Sequence, residues 1–205
     1  MSTNKNYFHG WSLVLWAALL LSLMTALLLA THGLAEEGVR VVIRATARTS
    51  FTLFMLAFSA ATLRRFWPNR ATQWLRSNRR YLGVSFAVSQ AIHLLAIAQL
   101  SHVTAGAALE EIPWFRLLGG SIAYLFTAAM TATSFDRSAA WLGPRAWSWL
   151  HTTGMYVNWA IFMFSYAKRF FVAAYYPPFV LILVIAMLLR LRGAFARRVV
   201  AAPQT

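Results

Sequence analysis

Residues 79–98 read RRYLGVSFAVSQAIHLLAIA. Two arginines lead into an almost unbroken apolar run, and about 20 such residues are what an α-helix needs to cross the hydrocarbon core of a bilayer. The segment reads as a membrane-crossing helix entered through a basic end. One histidine, His93, lies deep inside it. A polar ring among apolar side chains needs a partner, because an unpaired polar group is costly there. That partner has to come from elsewhere in the chain.

The same texture runs through all 205 residues. Hydrophobic residues make up 60% and charged residues only 12%, against about 25% charged in soluble domains. Apolar runs of membrane-crossing length fall at about 11–31, 46–63, 81–101, 114–134, 148–167 and 177–192. The expected fold is all-α: a single domain over 1–205, built as a polytopic membrane bundle of six transmembrane helices. The first run exceeds the ~7–15 apolar residues of a cleaved signal peptide and is read as an uncleaved span. The chain has no cysteine, which excludes disulfides, thiolate metal sites and iron–sulfur clusters.

The net charge of +14 raises the possibility of nucleic acid. Its distribution argues for lipid instead. Lys5, the stretch RRFWPNRATQWLRSNRR (64–80), Arg137, Arg145, Arg190, Arg192, Arg197 and Arg198 hold 13 of the 19 basic residues. All of them fall on one side if the six spans alternate. That is the positive-inside asymmetry, and it predicts both termini in the cytoplasm. A nucleic-acid partner is excluded, because there is no soluble basic domain to bind one. Trp114, Trp147, Trp149, Tyr175 and Tyr176 fall near the expected interfaces, as an aromatic belt does. Pro113 and Pro177 stand where helices four and six begin, a position that costs no backbone bond.

The acidic residues are Glu36, Glu37, Glu110, Glu111 and Asp136, all expected in loops. A transporter coupled to protons keeps a carboxylate within the membrane. None is expected here, which disfavours that class.

Of the five histidines, His9, His32 and His102 sit at span ends and read as interfacial. His93 and His151 belong to spans three and five, which run in the same direction. Counting back 14 residues from His93 gives Arg79, at the level of His151; counting forward 13 from His151 gives Phe164, at the level of His93. Polar groups so spaced on two parallel helices suit two stacked haems, since imidazole is a standard axial ligand and an apolar bundle supplies the dry pocket.

Three stretches carry a resemblance: RTSFTLFMLAFSAATLRR (48–65), RRYLGVSFAVSQAIHLLAI (79–97) and WLHTTGMYVNWAIFMFSY (149–166). On these, and over roughly residues 44–170, the chain resembles the ferric-reductase-like transmembrane domain family. That family includes the membrane halves of ferric reductases and NADPH oxidases, and a short haem-binding subunit serving a periplasmic methionine sulfoxide reductase. The resemblance implies haem-iron ligation by His93, which matches the family's deep third-span histidine, and by His151, which matches the first fifth-span one. Arg79 stands where the oxidases carry another third-span histidine, and is expected to face the iron or pair with a haem propionate. Phe164 stands where a second fifth-span histidine is usual and cannot ligate iron. The level of His93 is then five-coordinate, or takes Met163, Tyr166 or Gln90 as its sixth ligand.

The expectation is a multi-pass protein of a bacterial-type inner membrane with one or two b-type haems. It would carry electrons from a quinol or partner reductase to an extracytoplasmic acceptor. No flavin domain or nicotinamide fingerprint is present, so a redox partner protein or quinone is implied; oligomeric state is left open. The alternatives are a haem-free or haem-sensing scaffold of the same fold, and a small-molecule transporter.

Overall fold

The computed structural model describes residues 8–200, the side chains of 195–200 excepted. Lys5 and the side chains of Arg197 and Arg198 lie outside the described residues. Eight helices follow one another: α1 (Trp11–His32), α2 (Glu36–Phe66), α3 (Arg70–Val103), α4 (Ala107–Glu110), α5 (Trp114–Ala132), α6 (Asp136–Leu142), α7 (Pro144–Ala167) and α8 (Pro177–Val200). Five of them, α1, α2, α3, α5 and α8, are long and apolar enough to cross a membrane. The molecule is an all-helical, multi-pass bundle suited to a lipid bilayer.

Helix α7 is the departure from the expected six. Its 24 residues give ample length at ~1.5 Å each. Its inner face carries His151 and Asn158, and Trp147, Trp149 and Tyr156 break up the apolar run. It does not reach the hydropathy of the other five.

Two loops are much shorter than the sequence suggested. The basic 64–80 stretch is mostly helix: only residues 67–69 separate α2 from α3. Asn69 explains it. Its side chain accepts from the Thr72 backbone N–H at 2.9 Å, while the Thr72 hydroxyl accepts from the Asn69 N–H at 3.1 Å. This reciprocal capping starts α3 at Arg70 and puts Arg76, Arg79 and Arg80 on the helix. At the other end, only residues 33–35 separate α1 from α2, and Glu36 and Glu37 form the first turn of α2. Carboxylates are favoured there by the helix dipole, and Glu36 pairs with Arg40 at 2.7 Å. Glu110 lies in α4 and Asp136 opens α6, so these two acidic residues are also helical, and of the five only Glu111 lies in a loop.

Contacts fix the directions of the long helices. Near the start of α1, the Gly10 N–H donates to Asn78 Oδ1 (3.0 Å) and the Trp74 indole donates to the Phe8 carbonyl (2.9 Å). At its far end, Leu28 and Leu29 pack on Val39, Val42, Ala96 and Leu100. Helices α1 and α3 therefore run the same way and α2 runs against them. In α8, Phe179 stacks on Tyr166 at 4.6 Å, whereas Arg65 near the end of α2 donates to the Gly193 carbonyl. The start of α1 and the last turns of α8 thus lie at one end of the bundle, together with Arg76, Arg79 and Arg80.

The core sits among α2, α3, α7 and α8. Phe51, Phe54, Met55, Phe58, Phe86, Met155, Phe162, Tyr166 and Leu183 form one buried cluster. A hydroxyl seam joins α2 to α3 beside it, with Ser50 donating to Ser89 at 2.8 Å and Thr49 within 3.0 Å of the same oxygen. Such hydroxyl contacts tie helices where lipid offers no competing partner.

Candidate functional site

Two cavities lie in the bundle at different levels. The first, about 570 Å³, is at the arginine-rich end; Arg79 and His151 line it, with Phe54, Phe86, Thr127 and Met155 at its inner side. The second, about 230 Å³, is lined by His93 and Gln90 of α3, Tyr124 of α5, and Asn158, Phe162, Ser165 and Tyr166 of α7. From Arg79 to His93 along α3, and from His151 to Ser165 along α7, both helices run from the first cavity to the second. Arg79 and His151 thus share one cavity, and His93 lines the other.

Phe164 is not at the second level's inner face. It is 48% exposed and meets Phe115 edge-on at 6.4 Å. The reason is angular. At ~100° per residue, 13 residues from His151 leave a side chain ~140° off its face, whereas 14 leave it only ~40° off. Ser165 occupies that second position and lines the cavity. Of the expected sixth ligands, Gln90 and Tyr166 line the cavity with His93, and Met163 packs instead against the aromatic core.

His93 finds its partner on α2. Its Nδ1 is 2.8 Å from Thr46 Oγ1. The Thr46 hydroxyl sits 2.7 Å from the Val42 carbonyl, so its single hydrogen is spent on its own helix. Towards His93 it can only accept. Nδ1 therefore carries the imidazole proton, and Nε2 keeps its lone pair. Among the described residues, Nε2 has no hydrogen-bond partner.

His151 is held by the same device in the opposite sense. Its Nε2 lies 3.0 Å from Thr133 Oγ1, and that hydroxyl donates to the Ala129 carbonyl at 2.7 Å. The proton is on Nε2 and the lone pair on Nδ1. The ring also stacks on Trp147 one turn earlier, with centroids 4.1 Å apart. The two candidate histidines thus present different nitrogens.

Arg79 points into the first cavity and donates to the Met155 sulfur at 2.8 Å. Arg76, Arg80 and Arg190 share the cavity. Arg190, which the charge count places among the basic residues of one side, reaches back into the bundle, to the Phe58 carbonyl (3.2 Å) and the Tyr156 hydroxyl (3.2 Å). Thr46, Thr133 and Tyr124 were also missed, because a threonine or tyrosine within an apolar run gives no local sign of the histidine it faces.

A partition separates the cavities. Phe54 and Phe86 bound the first and Phe162 the second, with ring centroids 5.2 and 6.2 Å from Phe162. Beside them Thr127, on the first cavity, meets Asn158, on the second, at 3.2 Å.

The residues match haem differently at the two levels. At the second, the free Nε2 of His93, braced through Nδ1, is the arrangement of a ligating histidine. That cavity, about 230 Å³, falls below the ~300–1,000 Å³ usual for ligand pockets, so its residues suit a haem ligand while its volume as it stands is too small for the macrocycle. At the first, the volume and the arginines suit a ligand with acidic groups, but the usual ligating nitrogen of His151 is capped. Among the described residues, no cluster of three or more His, Asp or Glu side chains could hold a metal ion alone. No family model matches the chain, and no curated protein or solved structure matches it either.

Proposed function

We propose that the chain is a six-span protein of a bacterial-type inner membrane, related to the ferric-reductase-like domains, that carries electrons through b-type haem ligated by His93. In this reading α7 is the sixth crossing helix: it runs between the two levels inside the bundle, where its polar face meets protein rather than lipid. The arginine-rich end, with both termini, is cytoplasmic. Electrons come from a quinol or partner reductase and leave to an extracytoplasmic acceptor.

The observation that carries the reading is the 2.8 Å contact between His93 Nδ1 and Thr46 Oγ1. A buried imidazole bonded only for stability would use either nitrogen. Here a Thr46 hydroxyl committed to the Val42 carbonyl favours the proton on Nδ1, and Nε2 is left unpartnered on a residue that lines the cavity. Bound haem supplies reversible one-electron chemistry at that point. Thr46 orients the ring, the Phe54–Phe86–Phe162 partition excludes water from one side, and Ser165, Tyr124 and Tyr166 supply hydroxyls around the site. A second cofactor at the first level would be held by His151, with its Nε2 released from Thr133, and by Arg79, whose guanidinium would pair with acidic groups.

Ser165 also favours a second reading. The α7 residue sharing the face of His151 at this level is a weak iron ligand, which leaves a coordination position open and suits a haem sensor. Haem quantified per chain in purified protein, followed by carbon monoxide on the reduced form, separates the cases. One haem per chain with no carbon monoxide shift supports the electron carrier. A large shift supports the sensor, and absence of haem after expression with ample supply overturns both.

A further inference from the structure

The first cavity brings four guanidinium groups together. Arg76, Arg79 and Arg80 come from the first turns of α3, and Arg190 from α8. One carboxylate is nearby, that of Asp136, and it is bonded to Arg80 at 2.7 Å. Arg79 is half-buried, and its partner is the Met155 thioether, a weak acceptor. Arg190 is half-buried too, and its partners are a carbonyl and a phenol, both uncharged. Charged side chains within an apolar bundle are ordinarily paired with opposite charge. Among the described residues, nothing in this cavity neutralises Arg79 or Arg190.

The rest of the lining is rich in hydroxyls. Ser77, Ser148 and Thr152 line the cavity and make no side-chain hydrogen bond among the described residues. Guanidinium forks with hydroxyl donors are the groups that recognise a phosphate. The cavity lies at the end where both described chain ends gather, the place for a headgroup entering from the membrane surface.

We propose that this cavity binds a phosphate group, with Arg79 and Arg190 as its two principal partners and Arg76 at its mouth. The phosphate comes from an acidic phospholipid headgroup or from free inorganic phosphate. The haem reading centres on the level of His93; the phosphate site shares Arg79 with the acidic groups of any second cofactor at His151, and its test reads lipid and phosphate rather than haem.

The test uses the full chain in lipid nanodiscs. Wild type, Arg79→Gln, Arg190→Gln and Arg70→Gln are compared, the last removing an equal charge at the same end but outside the cavity. Native mass spectrometry counts phosphatidylglycerol retained from a phosphatidylcholine mixture, and thermal midpoints are read with and without inorganic phosphate in phosphatidylcholine alone. Retention of phosphatidylglycerol by wild type and Arg70→Gln, reduced at least tenfold in both cavity variants, establishes the lipid source. A thermal shift by inorganic phosphate, lost in the same two variants and without lipid retention, establishes the free anion. Equal behaviour of wild type and cavity variants in both arms overturns the site. Should the glutamine variants not fold, Arg79→Lys keeps the charge but not the fork; unchanged binding in it overturns Arg79 as a principal partner.

Discussion

Thr46 and His93 stand 47 residues apart in sequence and 2.8 Å apart in space, joined across α2 and α3. The threonine hydrogen is already held by Val42, so the contact dictates where the imidazole proton sits. Threonine is small, fully buried here, and locked by its own helix. It makes a rigid brace.

Thr46→Val keeps the shape and removes the acceptor. Stability in detergent should fall by about 1 kcal/mol, the usual cost of one buried hydrogen bond. Haem retained per chain should fall by about 10-fold or more, as when the outer partner of a metal-ligating histidine is lost. Thr46→Ser should restore both. Nitrogen-15 spectra of labelled histidine give the direct reading: one Nδ1–H tautomer in wild type, and a mixture in Thr46→Val.

Glycines 38 and 154 should respond differently to alanine. At Gly38, a Cβ would run into the carbonyl oxygens of Gly33 and His32, backbone atoms of the tight α1–α2 connection. At Gly154 it would meet the end of the Met130 side chain, 2.7 Å from sulfur, and methionine can swing away. Gly38→Ala should therefore cost at least ~1–3 kcal/mol, the usual overpacking range, and Gly154→Ala less. Thermal unfolding of the two variants decides the order.

The lack of cysteine makes topology easy to test. Arg137→Cys precedes α7 and Ala174→Cys follows it, both at exposed positions. If α7 crosses the membrane, a membrane-impermeant maleimide applied to right-side-out vesicles should label Ala174→Cys and spare Arg137→Cys until the vesicles are opened. Labelling of both from outside would contradict six spans.

Asp136 is 95% exposed on its side chain although it pairs with Arg80 at 2.7 Å. Exposed ion pairs contribute about 0–1 kcal/mol. Asp136→Asn should lower stability by less than ~1 kcal/mol, and added salt should narrow the difference further. A larger loss would mean the pair also positions α6.

The all-helical bundle and five of its long apolar helices were legible in the sequence, because lipid demands long apolar helices and leaves few alternatives. The ends of the helices were harder. The run of arginines between 64 and 80 read as a loop by charge, yet the Asn69–Thr72 capping pair starts α3 within it, and solvated arginines are good helix formers. The grouping of Arg79 with His151, apart from His93, followed from their spacing along parallel helices. The opposing residue did not. A count of 13 rather than 14 along α7 put the exposed Phe164 where Ser165 belongs, since one residue turns a helix by ~100°. Thr46 and Thr133, which set the histidine tautomers, and Arg190, which turns back into the bundle, depend on packing between distant segments that spacing cannot show.

The most direct test of the account is the reduced-minus-oxidised visible spectrum of purified wild type, His93→Ala and His151→Ala, with haem counted per chain. The account predicts sharp b-type bands in wild type, their loss in His93→Ala, and their retention in His151→Ala. A colourless wild type, or bands that survive the loss of His93, would contradict it.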